Sequence, residues 1–371
     1  MKLQKITFVF VVFALFSCNL NETSTTKKEA PKNVILLIAD GTGLTQVSTA
    51  FYFKESDPNY GRFKHIGLIN TSSSSHNITD SAAGATAFAS GVKTYNGAVG
   101  VLPDSTSVEN IVEVISKKNI KSGVIATSSI THATPAAFYA HAISRGMAED
   151  IALDMVASDV DFFAAGGLKY FNKRKDSLNL VSELEGKNFA IDTVALGDIN
   201  SIRNFEKIGY LLAENGMPKM TENRGNFLEN ATQLGIEFLS KNNSNFFMMV
   251  EGSQVDWGGH ENDGEYVITE LIDFDDAVGK ALDFAEKDGN TLVVVTGDHE
   301  TGGLALSSKQ RVNEHGKEYS DYNQIDLTFS TGGHSTTLIP VFAYGPGSEE
   351  FNGVYQNTDI YTKIMEVTGW K

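Results

Sequence analysis

The chain has 371 residues, of which 41% are hydrophobic, with 34 glycines and 7 prolines; this composition excludes a disordered chain and suits one large α/β domain. The formal net charge of −16 disfavours nucleic acid as a stable partner, because phosphate backbones bind clusters of Lys and Arg. The same charge repels anionic substrates at long range, so any phosphate chemistry requires local cations.

The N-terminal segment predicts an exported protein. Lys2 and Lys5 precede an apolar run over residues 6–16, which is too short to span a bilayer and is typical of a signal peptide. Cys18, the only cysteine of the chain, follows and resembles the lipid-acceptor cysteine of a bacterial lipoprotein. The alternative is an ordinary signal peptide with an incidental cysteine. The expected protein is either periplasmic or a lipoprotein anchored to the membrane. The polar residues 19–32 predict a flexible tether, and residues 33–371 the folded domain.

Apolar runs alternate with helical patterns from residue 33 onward. The candidate strands are Val34–Ala39, Gly123–Thr127, Phe162–Ala165, Phe246–Val250, Leu292–Thr296 and Ile339–Tyr344. The candidate helices are Ser107–Lys118, Met147–Ser158, Phe227–Ser240, Tyr266–Lys287 and Asp359–Val367. This alternation predicts an α/β three-layer sandwich, with a mostly parallel central sheet and helices on both faces. Residues 307–330 show no clear period and are expected to form an insert or long loop.

Side chains that can bind metals lie next to these strands. They are Asp40, Glu251, Asp256, His260, Asp298, His299 and His334. Because ligands bind beyond the carboxyl ends of strands in open α/β sheets, we expect these groups to converge on one edge. Any one of them alone is more often a structural His or a helix-capping Asp, but the combination indicates a metal cluster. Nitrogen and oxygen ligands without sulfur suit zinc where imidazoles dominate and magnesium where oxygens dominate.

Ser81 begins a predicted helix of very small residues. Asp80 or Ser81 is ordinarily interpreted as a helix N-cap in such a segment. The functional interpretation places the Ser81 hydroxyl beside a metal that lowers its pKa and makes it a nucleophile. No G-x-S-x-G motif surrounds Ser81, which disfavours a hydrolase triad. Arg145, in the run His141-Ala-Ile-Ser-Arg, is either a solvated surface residue or a bidentate clamp on phosphate.

Together these segments resemble the alkaline phosphatase family from about residue 33 to the C-terminus, most of all its short cold-adapted and marine bacterial members. The segments 79–87 and 91–97 match its nucleophile region. The resemblance implies hydrolysis of phosphate monoesters through a phosphoserine on Ser81, with Arg145 binding the phosphate. It implies two zinc ions and one magnesium ion. The implied ligands are Asp256, His260 and His334 for the first zinc; Asp40, Ser81, Asp298 and His299 for the second; and Asp40, Thr134 and Glu251 for magnesium. The family is often dimeric, so a homodimer is an open expectation.

Two residues depart from the best-known enterobacterial pattern of this family. His132 stands where that pattern has Asp, and Trp257 where it has Lys, so both are expected beside the site, with effects on magnesium affinity, phosphate release and pH optimum. Trp257 either weakens product binding, because a cation is lost, or simply packs beside the site.

A sulfatase is disfavoured because no C/S-x-P-x-R segment occurs. A phosphodiesterase of the same superfamily and a non-catalytic phosphate-binding lipoprotein are the alternatives.

Overall fold

The computed structural model describes residues 30–371, so the expected signal peptide, Cys18 and most of the tether lie outside the described residues. The strands are β1 Asn33–Ala39, β2 His65–Asn70, β3 Lys121–Ser129, β4 Phe162–Gly166, β5 Phe189–Asp192, β6 Lys207–Leu211, β7 Phe246–Gly252, β8 Thr291–Thr296, β9 Glu300–Thr301, β10 Leu304–Val312, β11 Glu318–Phe329, β12 His334–Ser335, β13 Ile339–Tyr344 and β14 Gly353–Gln356. The helices are α1 Leu44–Phe53, α2 Ser81–Ser90, α3 Ile111–Ser116, α4 Ala133–Ala136, α5 Ala148–Ala157, α6 Lys169–Asn172, α7 Leu180–Gly186, α8 Ile199–Ile202, α9 Phe227–Leu239, α10 Gln254–Glu261, α11 Gly264–Asp288 and α12 Thr358–Thr368. Within residues 30–371, no helix is both long and apolar enough to cross a membrane.

One large sheet organises the fold. Within the described chain it has ten strands in the order β14-β2-β13-β8-β1-β7-β3-β4-β6-β5. Neighbouring strands pair in parallel, except that β13 runs antiparallel to both β2 and β8. The prediction of a mostly parallel α/β sheet is therefore confirmed.

Both faces of the sheet are covered, as the near-continuous apolar strands require. Along β1, Val34, Leu36 and Ile38 point into a core shared with α2, α3, α5 and α12. Ile35 and Leu37 point into a second core shared with α1, α9 and α11. Successive side chains of a strand face opposite sides, so the two apolar cores explain why residues 34–39 of β1 are all apolar.

The direction of β13 explains an irregularity in the sequence pattern. Most candidate ligands follow a strand, whereas His334 precedes one. Because β13 runs against its neighbours, its first residue lies at the edge where β1, β7 and β8 end. His334 therefore reaches the same edge as Asp40, Glu251 and Asp298.

All six predicted strands and all five predicted helices are present. Ile339–Tyr344 has the predicted bounds, and the other elements are shifted at one end or both. The helix predicted from Ser107 begins only at Ile111, because the Asn110 side chain accepts a hydrogen bond from the Glu113 backbone and caps it. Of the two alternatives expected for residues 307–330, an insert or a long loop, the long loop was wrong. These residues form most of an antiparallel hairpin of β10 and β11, with an irregularity between Ser308 and Lys309. The hairpin is largely exposed, so it lacks the apolar alternation by which strands are recognised.

Candidate active site

Asp40 lies at the end of β1 in the centre of the candidate site. It is fully buried, and its Oδ2 atom has no hydrogen-bond partner within residues 30–371. Gly41 follows with φ of +72°, and a Cβ there would lie 2.5 Å from the Asp256 Cα. A residue without a side chain is therefore needed where the loop after β1 meets α10.

Ser81 is the first residue of α2. Asp80 caps this helix, its Oδ1 accepting a hydrogen bond of 3.1 Å from the Ala83 backbone, so the ordinary N-cap interpretation holds for Asp80. The Ser81 Oγ lies 3.3 Å from the His299 Nε2 and 3.5 Å from the Asp40 Oδ1. The small residues of α2 allow this approach, since a Cβ on Gly84 would lie 3.2 Å from the Asp298 Cβ. The hydroxyl thus faces the buried groups from the positive end of a helix.

The first group of candidate ligands gathers around Asp256. One turn of α10 brings His260 Nε2 to 3.4 Å from the Asp256 Oδ1, and His334 Nε2 lies 3.6 Å from the same oxygen. The two Nε2 atoms are 3.2 Å apart. The Nδ1 atoms bond outward to the carbonyl oxygens of Gly332 and Thr79, both at 2.8 Å. Each Nε2 is therefore directed inward, as it is in a metal-binding histidine held by a carbonyl.

The second group contains Asp298 and His299, both fully buried after β8. Asp298 Oδ1 accepts hydrogen bonds from the backbone N–H groups of Gly41 and His299, at 3.1 and 3.0 Å. Its Oδ2 lacks a hydrogen-bond partner in the described chain. Burial, followed by the nearby His334, lowers the pKa of His299 to about 3, so its ring is a neutral ligand.

Four carboxylates interact in this buried space. Burial is the largest cause that raises the pKa of Asp40, followed by the charges of Asp298, Asp256 and Glu251. Asp40, Asp298 and His299 offer atoms within 4.8 Å of one another, and so do Asp256, His299 and His334. Because like charges in a buried space repel, bound cations are the natural way to keep these carboxylates ionised.

A third group lies on the other side of Asp40. Glu251 accepts hydrogen bonds through Oε2 from Ser253 and Ser128, while its Oε1 and the Thr134 Oγ1 have no partner in residues 30–371. His132 also offers a ring nitrogen within 4.8 Å of Asp40 and Glu251 oxygens. Burial raises the pKa of Glu251 to about 7. Buried polar atoms are normally paired, so these free oxygens are suited to a cation.

Arg145 lies beside these groups and is held on two sides. Its guanidinium donates to the Asp80 Oδ2 at 3.1 Å and to the His132 Nε2 at 3.2 Å. The Trp257 ring meets the His132 ring edge-on, with centroids 6.0 Å apart. Every site residue that was predicted from the sequence therefore lies at this edge of the sheet.

Comparison with known proteins identifies the family. The chain matches the alkaline phosphatase family profile over residues 31–317. It belongs to the alkaline phosphatase family. Alkaline phosphatase 3 of Bacillus subtilis is 32% identical, with 90% of this chain and 88% of that protein aligned.

Solved structures of the same family match closely. The alkaline phosphatase of the Antarctic bacterium TAB5 is 60% identical, with a TM-score of 0.91 over 93% of this chain and all of that one. A His-to-Asp variant of the TAB5 enzyme, with Mg bound in its M3 site, gives 62% identity and a TM-score of 0.92 over the same shares. The chain is thus an enzyme of this family.

The structure adds residues that sequence reasoning missed in this alkaline phosphatase. Thr301 donates a hydrogen bond of 2.5 Å to the Asp256 Oδ1 and lies 3.2 Å from the His299 Nδ1. Ser128 and Ser253 orient Glu251. Ser253 and Thr301 each lie two positions after a candidate ligand, and this spacing could have indicated their contact with the site. No sequence signal indicated Ser128, because its partner Glu251 is distant in sequence.

Proposed function

We propose that this enzyme hydrolyses phosphate monoesters through a phosphoserine on Ser81, at a site holding two zinc ions and one magnesium ion. The observation that carries the proposal is the position of the Ser81 Oγ, which faces the His299 Nε2 at 3.3 Å and the Asp40 Oδ1 at 3.5 Å. A serine placed among groups that can bind metals has the surroundings it needs to become a nucleophile.

The three groups suit three ions. Asp256, His260 and His334 would hold the first zinc, while Asp40, Asp298, His299 and Ser81 would hold the second. Asp40, Thr134 and Glu251 would hold magnesium. In support, the unpaired buried oxygens of Asp40, Asp298, Thr134 and Glu251 face this space, and oxygen donors alone are what magnesium prefers.

The reaction would proceed as two displacements at phosphorus. When bound, the zinc ions lower the pKa of the attacking hydroxyl and stabilise negative charge on oxygen. Ser81 Oγ forms a bond to phosphorus as the ester oxygen leaves with a proton as the alcohol. Water then displaces Ser81 from the phosphoserine and releases inorganic phosphate. Arg145 would hold the non-bridging oxygens, for which its planar pair of donors is suited.

His132 bears on which ion occupies the third position. Its ring nitrogen can reach the same space as the Asp40 and Glu251 oxygens, and a neutral imidazole is a poorer magnesium ligand than a carboxylate. The TAB5 variant with magnesium carries Asp in place of a His. We propose that His132 weakens magnesium binding in this chain.

We also propose that the enzyme is exported, with residues 1–18 as signal peptide, residues 19–32 as tether and residues 33–371 as the catalytic domain. Cys18 would carry a lipid anchor, and the folded chain would form a homodimer. These proposals rest on the sequence pattern and the family. Mass determination of the mature N-terminus and light scattering of the purified protein test them.

The function is tested by hydrolysis of a chromogenic aryl phosphate near pH ~9, before chelation, after chelation, and after zinc and magnesium are restored. We expect chelation to abolish turnover and the metals to restore it. Ser81→Ala should lower kcat by about 1,000-fold or more, whereas Ser90→Ala, on the same helix, should not. A fully metallated, folded wild type without monoester turnover would refute the proposal. Diester turnover would then indicate a phosphodiesterase, and phosphate binding without turnover a binding lipoprotein.

A further inference from the structure

His141 lies outside the catalytic groups, and both of its ring nitrogens face oxygen acceptors. Nδ1 is 2.7 Å from the carbonyl oxygen of Gly100, and Nε2 is 3.0 Å from the Glu113 Oε1. A neutral imidazole carries a single N–H and can donate to one of them, whereas the imidazolium ion donates to both. The surroundings of His141 therefore match the charged ring.

The charges around His141 also favour the imidazolium. Its backbone N–H donates to the Asp154 Oδ2 at 2.9 Å. The titratable groups that line the cleft around the ring are Glu113 of α3, Asp154 of α5, Asp159 and Tyr139. The charge of Lys117 also acts on Glu113. The hydrogen bond to Glu113 is the largest of the causes that raise the pKa of His141 above its ordinary value. An acidic cleft thus retains the proton on this ring.

Residues 97–100, here termed the glycine strap, connect His141 to the phosphate site. At one end, Gly100 accepts from His141 and donates to the Thr86 Oγ1 of α2 at 3.0 Å. In the middle, Val99 pairs with Ala142 through hydrogen bonds of 2.9 and 2.8 Å.

The other end of the glycine strap holds Arg145. Gly97 accepts a hydrogen bond of 2.7 Å from the Arg145 backbone N–H. Gly97 also donates to the Asp80 Oδ2 at 3.0 Å, the oxygen that accepts from the guanidinium of Arg145. The glycine strap therefore binds the Arg145 backbone directly and is linked to the Arg145 side chain through Asp80.

We infer that His141 is a positioning residue, whose imidazolium form fixes the glycine strap and thereby sets the Arg145 guanidinium for phosphate. The inference rests on the proposed function, because Arg145 is assigned to phosphate there. Loss of the proton removes one of the two hydrogen bonds, so the strap is held less firmly. Phosphate affinity should therefore be greatest below the pKa of His141 and should fall as pH rises through it.

The test compares competitive inhibition by inorganic phosphate in the metallated wild type and His141→Gln across pH. At about pH 6, where the wild-type ring is charged, the inhibition constant of His141→Gln should exceed that of the wild type by about tenfold, the size expected for one charge-assisted hydrogen bond. The ratio should approach one at alkaline pH, since neither protein then carries an imidazolium. The control His315→Gln removes an exposed ring in the β10–β11 turn and should leave the ratio at one.

A ratio of inhibition constants that is the same at every pH would overturn the inference, because the effect of losing a purely structural contact would not depend on the charge of the ring. If His141→Gln does not fold or loses zinc, Glu113→Gln is used instead. In that variant, phosphate affinity should begin to fall at a lower pH than in the wild type. The NMR titration of the His141 ring in the wild type must show the same midpoint as the ratio of the two inhibition constants, in which the ionisation of phosphate itself cancels. A wild type that hydrolyses monoesters while failing these tests leaves the proposed function standing, whereas absence of turnover refutes the function itself.

Discussion

Thr301 couples two groups of candidate ligands through one hydroxyl. It is fully buried, donates to Asp256 and can accept from the His299 Nδ1–H. This pairing fixes the His299 tautomer with Nε2 free, which is the nitrogen that faces Ser81. A single oxygen thus orients one residue assigned to each zinc.

Replacing Thr301 by Val should therefore weaken zinc binding, because the shape is kept while the hydroxyl is lost. We expect zinc affinity to fall by about 10- to 100-fold, the usual cost of losing an outer-sphere partner. Competition with a chromogenic chelator measures it, together with the zinc content of the protein. Thr301→Ser should recover most of the affinity, and a Val variant that holds zinc like the wild type would show that the hydroxyl has no such role.

Trp257 offers a second test at the scale of one residue. Its ring meets His132 edge-on, and a Cβ on Gly216 would lie 2.9 Å from it, so Trp257 fills the space between the phosphate side of the site and the 212–226 loop. Trp257→Lys would place a cation near Arg145 and His132. Inhibition by inorganic phosphate should tighten by about tenfold, the effect of a charge-assisted contact. Unchanged inhibition, with Trp257→Leu as the uncharged control, would favour simple packing.

Individual residues of the site were predictable where the backbone constrains them. Asp40 and Asp298 follow apolar strands, and Asp256 and His260 have the spacing of one helical turn, so sequence alone brought them together. His132 was expected only beside the site, yet its ring reaches the space between Asp40 and Glu251. That placement depends on side-chain direction after β3, which no local pattern encodes.

Among the elements, the loop over residues 212–226 is pinned by a buried ion cluster. Arg224 donates to Glu270 at 2.5 Å and to Asp273 at 2.7 Å on α11, and all three side chains are almost completely buried. The Met220 backbone N–H also donates to Glu270. Because this loop carries Gly216, the cluster supports the wall against which Trp257 packs.

Breaking this cluster should cost stability without touching the catalytic groups. Arg224→Met leaves two buried carboxylates without their cation, which costs about 3–5 kcal/mol. Urea unfolding of the metallated protein measures the loss. The exposed Arg203→Met should change the free energy of unfolding by less than about 0.5 kcal/mol. A small loss in Arg224→Met would mean that water or local opening solvates the carboxylates.

Sequence predicted the central elements better than the peripheral ones. The strands β1, β3, β4, β7 and β8 lie inside the sheet, where cover on both faces forces continuous apolar runs. The strands β2, β5 and β14 lie at or near the sheet edges and mix exposed with buried positions, so their apolar pattern is weak. The antiparallel course of β13 could not be predicted either, because an apolar run does not reveal strand direction.

At the scale of the whole molecule, the chain concentrates carboxylates where its parallel strands end. The net charge of −16 adds to this concentration instead of offsetting it. Local cations must therefore supply the attraction for phosphate. They are the Arg145 guanidinium and the ions that the carboxylates would bind. We therefore expect metal binding and folding to be coupled in this protein.

This coupling predicts opposite pH responses of the metal-free and metal-loaded forms. Burial raises the pKa of Glu251 to about 7 and raises those of Asp40 and Asp298. The folded metal-free protein then binds more protons than the unfolded chain between about pH 4 and pH 7, so its free energy of unfolding falls as pH rises through that window. Bound cations require the ionised carboxylates, so the metal-loaded protein should gain relative stability over the same window.

Urea unfolding of chelated and metal-restored protein at several pH values measures this difference. The gap in unfolding free energy between the two forms should widen from about pH 5 to pH 7. Glu251→Gln should flatten the decline of the chelated form, because the amide does not titrate, while Glu314→Gln, in the exposed β10–β11 turn, should not. If the unfolding free energy of the chelated form does not change between about pH 5 and pH 7, the carboxylates are solvated once the metals leave and the site opens. A decline that Glu251→Gln flattens would show that the metal-free site stays closed with its carboxylates buried.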